Sequence, residues 1–175
     1  MYAGHAALAL LAKSRRRRIS LALLVPIAFA PDWIEWLLSS GSTVVTDRDR
    51  FLSHSLVSVV PCALAVGLLY WLFRRGAGVT LADAATVCAV YLSHWAADFI
   101  TGIKPTWSGG PMVGLMFYTH TWPEALMECA LVLLCWWAYR RSLPEASRRR
   151  EMGWVIPASL VGLEIVSALL QQPMS

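Results

Sequence analysis

No C-x-x-C pair joins the four cysteines, no internal repeat is evident, and no stretch is long enough or low enough in complexity to be an interdomain linker. The first absence excludes zinc-finger chemistry: Cys62, Cys88, Cys129 and Cys135 lie apart in apolar runs and read as small buried hydrophobes. The other two leave a single domain over residues 1–175, in which residues 76–79, 143–151 and the turn Gly109-Gly110-Pro111 are only connectors. A continuous basic stripe is also missing. The net charge is +4 and the pI near 9.1, but every Lys and Arg except Arg48, Arg50 and Lys104 falls in the short clusters 13–18, 74–75, 140–141 and 148–150, each beside an apolar run. The charge is therefore a matter of topology, and no nucleic-acid partner is indicated.

What the chain has is apolar surface. Hydrophobic residues make up 57% of it, nine residues are Trp, and the mean hydropathy is +0.54, more than one small soluble core can bury. Apolar runs at residues 19–38, 55–73, 79–100, 124–139 and 153–170 approach the roughly 20 residues of a spanning helix. A shorter stretch, residues 2–12, precedes them. The pattern predicts an all-α fold: a polytopic membrane helical bundle of about five spanning helices plus a short N-terminal helix. The basic clusters fall at alternate ends of these runs, which makes their side cytoplasmic and puts the loops 39–53 and 101–122 on the other side.

Residues 15–18, the apolar run and Ala28-Phe29-Ala30 imitate a secretory signal, but Pro31 directly after the would-be cut argues against cleavage, so the segment is read as retained. Pro26 and Pro31 interrupt this first run, and the helix is expected to kink or restart there. Pro31 suits the first turn of a segment carrying Asp32 and Glu35. A broken helix at membrane depth is tolerated where it lines a polar cavity.

Threading the runs through a bilayer brings His5, Asp32, His54, His94, Asp98 and Glu128 to one side. Asp32 lies fourteen residues beyond Arg18, about 21 Å along a helix at 1.5 Å per residue. His54 opens the return helix, His94 and Asp98 come late in the next, and Glu124 and Glu128 come early in the one after. His5, eight residues before Lys13, reaches the group from below at roughly 12 Å from the inner surface. Ionisable groups at such depth are costly and usually face a cavity, a partner or a metal.

Local spacing sharpens this. His94 and Asp98, four residues apart, share a helix face, where they can ligate one ion or form an orienting hydrogen-bonded pair. Glu124 and Glu128 repeat the spacing with like charges, which demands a cation or a proton unless Glu124 is simply settled by the helix N-terminus. Ser53 or Ser55 can cap the helix that follows, which leaves His54 in its first turn. Arg50 can pair with Asp47 or bind a phosphate. His120, between Tyr118 and Trp122, reads as structural or interfacial ahead of a ligand, and Glu164 as a packing or outer-shell residue.

Gly4-His5, Pro31-Asp32, His54-Ser55, Ser93-His94-x-x-x-Asp98 and the Gly-Pro-x-x-Gly run at residues 110–114, leading to Glu128, together resemble the bacterial inner-membrane metal-dependent hydrolases of the YdjM-like family. The resemblance covers about residues 4–140. The order of ligands is similar to that of zinc-dependent phospholipase C and the fungal zinc nucleases, in which an Asp precedes a His, a His-x-x-x-Asp helix follows, and a His-x-x-x-Glu helix comes last. Asp32, His54, His94 and Asp98 fit this order, while Glu124 stands where the last His would be.

Imidazole and carboxylate ligands suit zinc, as one to three ions, or another divalent metal, and such an ion lowers the pKa of bound water toward about 7. The expected ligands are His5, Asp32, His54, His94, Asp98 and Glu128, with Glu124 and His120 as possible additions. Glu35, one turn from Asp32, is the expected acceptor of the water's proton, and Arg50 the expected contact to substrate. The function implied is hydrolysis of a phosphoester or related ester, lipid or lipid-linked, at the extracytoplasmic side of the inner membrane. An ion- or proton-coupled transporter, and a non-catalytic adaptor stabilised by its metal, are the alternatives.

Overall fold

A computed structural model describes residues 2–39, 46–148 and 154–170. Loop residues 40–45 and the basic residues after Arg148 lie outside them. The described chain is almost entirely helical. In order come α1 (Tyr2–Arg15), α2 (Leu21–Ala28), α3 (Ala30–Leu38), α4 (Asp47–His54), α5 (Leu56–Arg74), α6 (Leu81–Thr101), α7 (Thr121–Ser142), α8 (Glu145–Arg148) and α9 (Val155–Leu170). Between α6 and α7 a small antiparallel hairpin pairs β1 (Lys104–Pro105) with β2 (Met112–Val113), Lys104 opposite Val113.

Side-chain oxygens at the helix starts fix where the elements begin. Thr46 and Asp49 form a reciprocal cap on α4, and Thr80 and Asp83 do the same on α6, satisfying N–H groups that a helix start leaves unpaired. Ser55 caps α5, accepting from the Ser58 N–H. His54 consequently ends α4 and does not open α5, contrary to the expectation above. The chain turns at the extended backbone of Ser55. Pro31 stands in the first turn of α3 as expected, and α2 and α3 meet at a bend of 54°.

Small residues let the helices approach. Ala3 and Ala7 of α1 pack on Val132 and Cys135 of α7, while Ala9, Leu24 and Ala28 meet Val87 and Val90 of α6. Val59 and Ala63 of α5 meet Tyr91 of α6. Gly67 marks the closest approach of α5 to α6: a Cβ there would lie 2.9 Å from the Ala84 carbonyl oxygen.

Among the described residues, one helical stretch, Leu56–Ala77, is long and apolar enough to cross a membrane, and the bent pair α2 and α3 makes a second if counted as one span. The expected count of about five spans goes further than these lengths and compositions do. The physical reason lies in the site itself. α6 and α7 have the length, at 21 and 22 residues, but Asp83, His94 and Asp98 in one and Glu124 and Glu128 in the other dilute their apolar content. α9 has only 16 residues. α5 is 17% buried over its apolar window and exposes Leu64, Leu68, Leu69, Leu72 and Phe73.

The fold has two unlike ends. Arg18 donates to the Gly78 carbonyl at 2.9 Å, which places the first basic cluster beside the turn between α5 and α6. His54, the start of α5, the end of α6 and the β1–β2 hairpin gather at the opposite end.

Candidate metal centre

Three elements that are far apart in sequence present four ligating side chains to one point. α3 supplies Asp32 from the turn that Pro31 starts. α4 supplies His54 from its last turn, and α6 supplies His94 and Asp98 from the face its four-residue spacing defines. His54 Nε2 lies 3.2 Å from Asp32 Oδ1, 3.2 Å from His94 Nε2 and 3.6 Å from Asp98 Oδ2. His94 Nε2 lies 3.4 Å from Asp32 Oδ1 and 3.3 Å from Asp98 Oδ2. Ligands held about 2.0–2.2 Å from a tetrahedral zinc ion stand about 3.3–3.6 Å from one another. The five separations given above fall within a tenth of an ångström or so of that range.

The imidazoles are turned the right way for this. His94 Nδ1 is 2.8 Å from the Ala28 carbonyl oxygen, which can only accept, so Nδ1 donates and Nε2 is the nitrogen turned to the carboxylates and His54. Ala28 ends α2, and a carbonyl at a helix C-terminus has no partner within its own helix. The break between α2 and α3 thus provides the acceptor that sets the tautomer of His94. His54 Nδ1 faces Glu35 Oε2 at 3.1 Å and Ser53 Oγ at 2.7 Å, and the Ser53 hydroxyl has the Asp49 carbonyl 2.8 Å away to donate to. His54 Nδ1 is accordingly the donor, and its Nε2 is the nitrogen turned to Asp32, Asp98 and His94. Metal-binding histidines commonly hand their second ring N–H to a carboxylate or carbonyl in this manner. Two imidazole nitrogens 3.2 Å apart, flanked by two carboxylates, need a proton or a cation between them.

His5 adds a second group. It is 2% exposed, stacks on His94 with ring centroids 3.9 Å apart, and brings Nε2 to 3.4 Å from Asp98 Oδ1. His5, His94 and Asp98 form one set of atoms able to hold an ion, and Asp32, His54 and His94 another, with His94 common to both. His5 Nδ1 is buried without a hydrogen-bond partner.

The structure therefore gathers five of the residues singled out from sequence. Glu128 is not in either group. Its Oε2 accepts the Gly4 N–H at 3.0 Å, so it fastens α1, and with it His5, to α7. Glu124 is buried in the first turn of α7 and is also outside both groups. His120 is exposed and supplies a backbone cap to α7. Glu164 of α9 lies near Glu128. Glu35 sits on the Nδ1 side of His54, where it orients the ring. Arg50 lines the cleft over the centre.

That cleft, of about 910 Å³, is walled by the hairpin on one side and by α3 and α4 on the other, and opens onto His5, Asp32, His54 and Asp98. Two of its side chains were not singled out from sequence. Lys104 places Nζ 2.6 Å from Asp98 Oδ2. Its only signal was that it is the sole basic residue of the 101–122 loop. Tyr118 stands at the rim, half exposed; partial desolvation above all, with the carboxylates of Asp98, Glu124 and Glu128 adding to it and a Thr101 hydrogen bond opposing it, pushes its pKa up to about 12. It is a hydroxyl donor at neutral pH.

Comparison of the chain with protein-family models, with curated proteins and with solved structures finds no match.

Proposed function

We propose that this chain is a membrane-embedded metal-dependent hydrolase, with zinc or a similar divalent ion, acting on a phosphoester or related ester that is lipid or lipid-linked. The observation that carries the reading is the convergence of Asp32, His54, His94 and Asp98 on one point, with the Nδ1 atoms of both imidazoles turned to acceptors. A bound ion would supply Lewis acidity and water acidified to near neutral pKa. The chain's own residues do the rest. Asp32 and Asp98 balance the ion's charge, Glu35 and the Ala28 carbonyl hold the two rings in place, and Tyr118 presents a donor toward the cleft. His5, on the opposite face of His94, extends the donor set toward a second ion.

The membrane setting is supported by α5, whose apolar face has little protein cover, and by the separation of the basic end from the site end. With the basic clusters cytoplasmic, the cleft opens at the extracytoplasmic side of the inner membrane, at a depth suited to a lipid headgroup. The resemblance to YdjM-like hydrolases agrees with this. Metal analysis of protein purified in detergent is the first test: we expect at least one equivalent of zinc or another divalent ion that a strong chelator removes, together with hydrolysis of a generic phosphodiester that is lost on removal. Protein that neither retains nor takes up a divalent ion would end the reading.

A further inference from the structure

Lys104 belongs to neither group of potential ligands, yet its Nζ contacts Asp98 Oδ2 at 2.6 Å. That oxygen is the one that stands 3.3 Å from His94 Nε2 and 3.6 Å from His54 Nε2. A single carboxylate oxygen thus faces both imidazole Nε2 atoms and an ammonium. A divalent ion on this oxygen would sit within about 4 Å of Nζ, a range at which like charges in a poorly solvated site repel strongly. Ion and ammonium compete for the same atom.

The backbone that presents Lys104 is held fast. Beyond the β1–β2 pairing, the Thr106 carbonyl accepts the Val57 N–H at 3.1 Å, Thr106 Oγ1 donates to the Pro111 carbonyl at 2.7 Å, and the Phe99 carbonyl accepts the Leu115 N–H at 2.8 Å. Gly114 packs so tightly on Gly102 that a Cβ would collide with the Gly102 carbonyl oxygen. A displaced ammonium therefore moves on its own four-carbon stem, whose bonds rotate freely, and not with the hairpin. The cleft is the polar space open to it. Lys104 and Arg50 line the same cleft, onto which Asp32, His54 and Asp98 also open.

We propose that Lys104 and Arg50 form an oxyanion subsite for the phosphate of the substrate, and that metal loading opens it by expelling Lys104 from Asp98. The inference rests on the metal-dependent reading above and adds to it the substrate's charge. Without metal, Lys104 neutralises Asp98 and the subsite is closed. With metal, the released ammonium and the Arg50 guanidinium hold a phosphate against the centre, Arg50 by its planar fork and Lys104 as a point charge. A phospholipid headgroup and a soluble phosphate ester share this chemistry.

The experiment uses the full chain in detergent micelles, with Co²⁺ as the metal probe, chelator competition to give its affinity, and visible absorption to report inorganic phosphate joining the loaded site. Lys104→Gln should bind Co²⁺ about tenfold or more tightly than the parent and, once loaded, bind phosphate about tenfold or more weakly. Lys104→Arg should restore phosphate binding. Arg50→Gln leaves the Lys104–Asp98 contact intact and should lose phosphate at parental Co²⁺ affinity, which tests the subsite even if Lys104→Gln folds poorly. Competition by phosphatidic acid in the micelle well below the inorganic phosphate concentration assigns the subsite to a lipid headgroup; equal competition assigns it to soluble phosphates. Unchanged Co²⁺ affinity in Lys104→Gln, or unchanged phosphate binding in both the Gln variants, overturns the proposal while leaving the metal centre standing. No Co²⁺ binding by the parent overturns both.

Discussion

A carboxylate beside an imidazole does different work according to which ring nitrogen it faces. Asp98 meets Nε2 of both His54 and His94, where a ligand belongs, whereas Glu35 meets Nδ1 of His54, where it fixes tautomer and orientation. The two should separate on mutation. His94→Ala and Asp98→Asn are expected to abolish stoichiometric metal after dialysis, since an amide is a poorer ligand and lacks the charge. Glu35→Gln should still bind metal, about 10–100-fold more weakly, as removal of a ring-orienting partner generally does. His120→Ala should be indistinguishable from the parent. Chelator competition on all four, at matched folding, checks this. Parental affinity in Glu35→Gln with lost turnover would instead return Glu35 to the role of proton acceptor expected from sequence.

At the scale of elements, α5 and α6 hold the site's spacing, because α5 follows directly on His54 and α6 carries His94 and Asp98. Their contact narrows at Gly67. Ala in place of a helical Gly gains up to about 1 kcal/mol of helix propensity, but here the new Cβ would stand 2.9 Å from a backbone carbonyl and 3.1 Å from Cys88 Cβ. Overpacking against backbone costs about 1–3 kcal/mol and should prevail. Gly67→Ala is therefore expected to lower thermal stability in detergent and to weaken metal binding, read by a melting curve with and without metal; a stabilised variant with parental affinity would mean that the two helices part without cost. Much of this framework could be read from residue types. Pro31 announced the helix break, a serine beside His54 announced a cap, and the four-residue spacing of His94 and Asp98 announced a shared face. What could not be read was set by partners without a mark in the sequence. The acceptor for His94 is a main-chain carbonyl. Lys104 reaches Asp98 only through a hairpin whose strands are two residues each. Ser53 and Ser55 are equally good caps by type, so the element to which His54 belongs was decided by the turn. Glu128 shares the depth of the site but lies on α7, which turns toward α1 and α9, and common depth does not give a common face.

For the whole molecule, the two unlike ends turn orientation into a measurable property. In a background with the four native cysteines replaced, Ser108→Cys places an exposed thiol in the hairpin loop. It should react with an impermeant maleimide from outside intact spheroplasts. A thiol replacing Arg75, in the exposed turn between α5 and α6, should react only after lysis. Labelling with the reverse pattern would put the cleft on the cytoplasmic side and remove the argument for an outer-leaflet substrate.

The contacts that build the centre also impose an order in time. His54 and His94 are 40 residues apart, and Gly4 and Glu128 are 124 apart. At a synthesis rate of about 5–20 residues per second, His54 is made roughly 2–8 s before the ring it must face. α1 waits about 6–25 s for the carboxylate that fastens it. The first helix off the ribosome thus waits for α7 to complete its packing, and Asp32 is made before either of its imidazole partners. A nascent chain arrested before α7 holds Asp32, His54, His94 and Asp98 but lacks the Glu128 carboxylate that fastens the start of α1, so biogenesis passes through a stage at which these four residues are present and His5 is not yet anchored through Gly4.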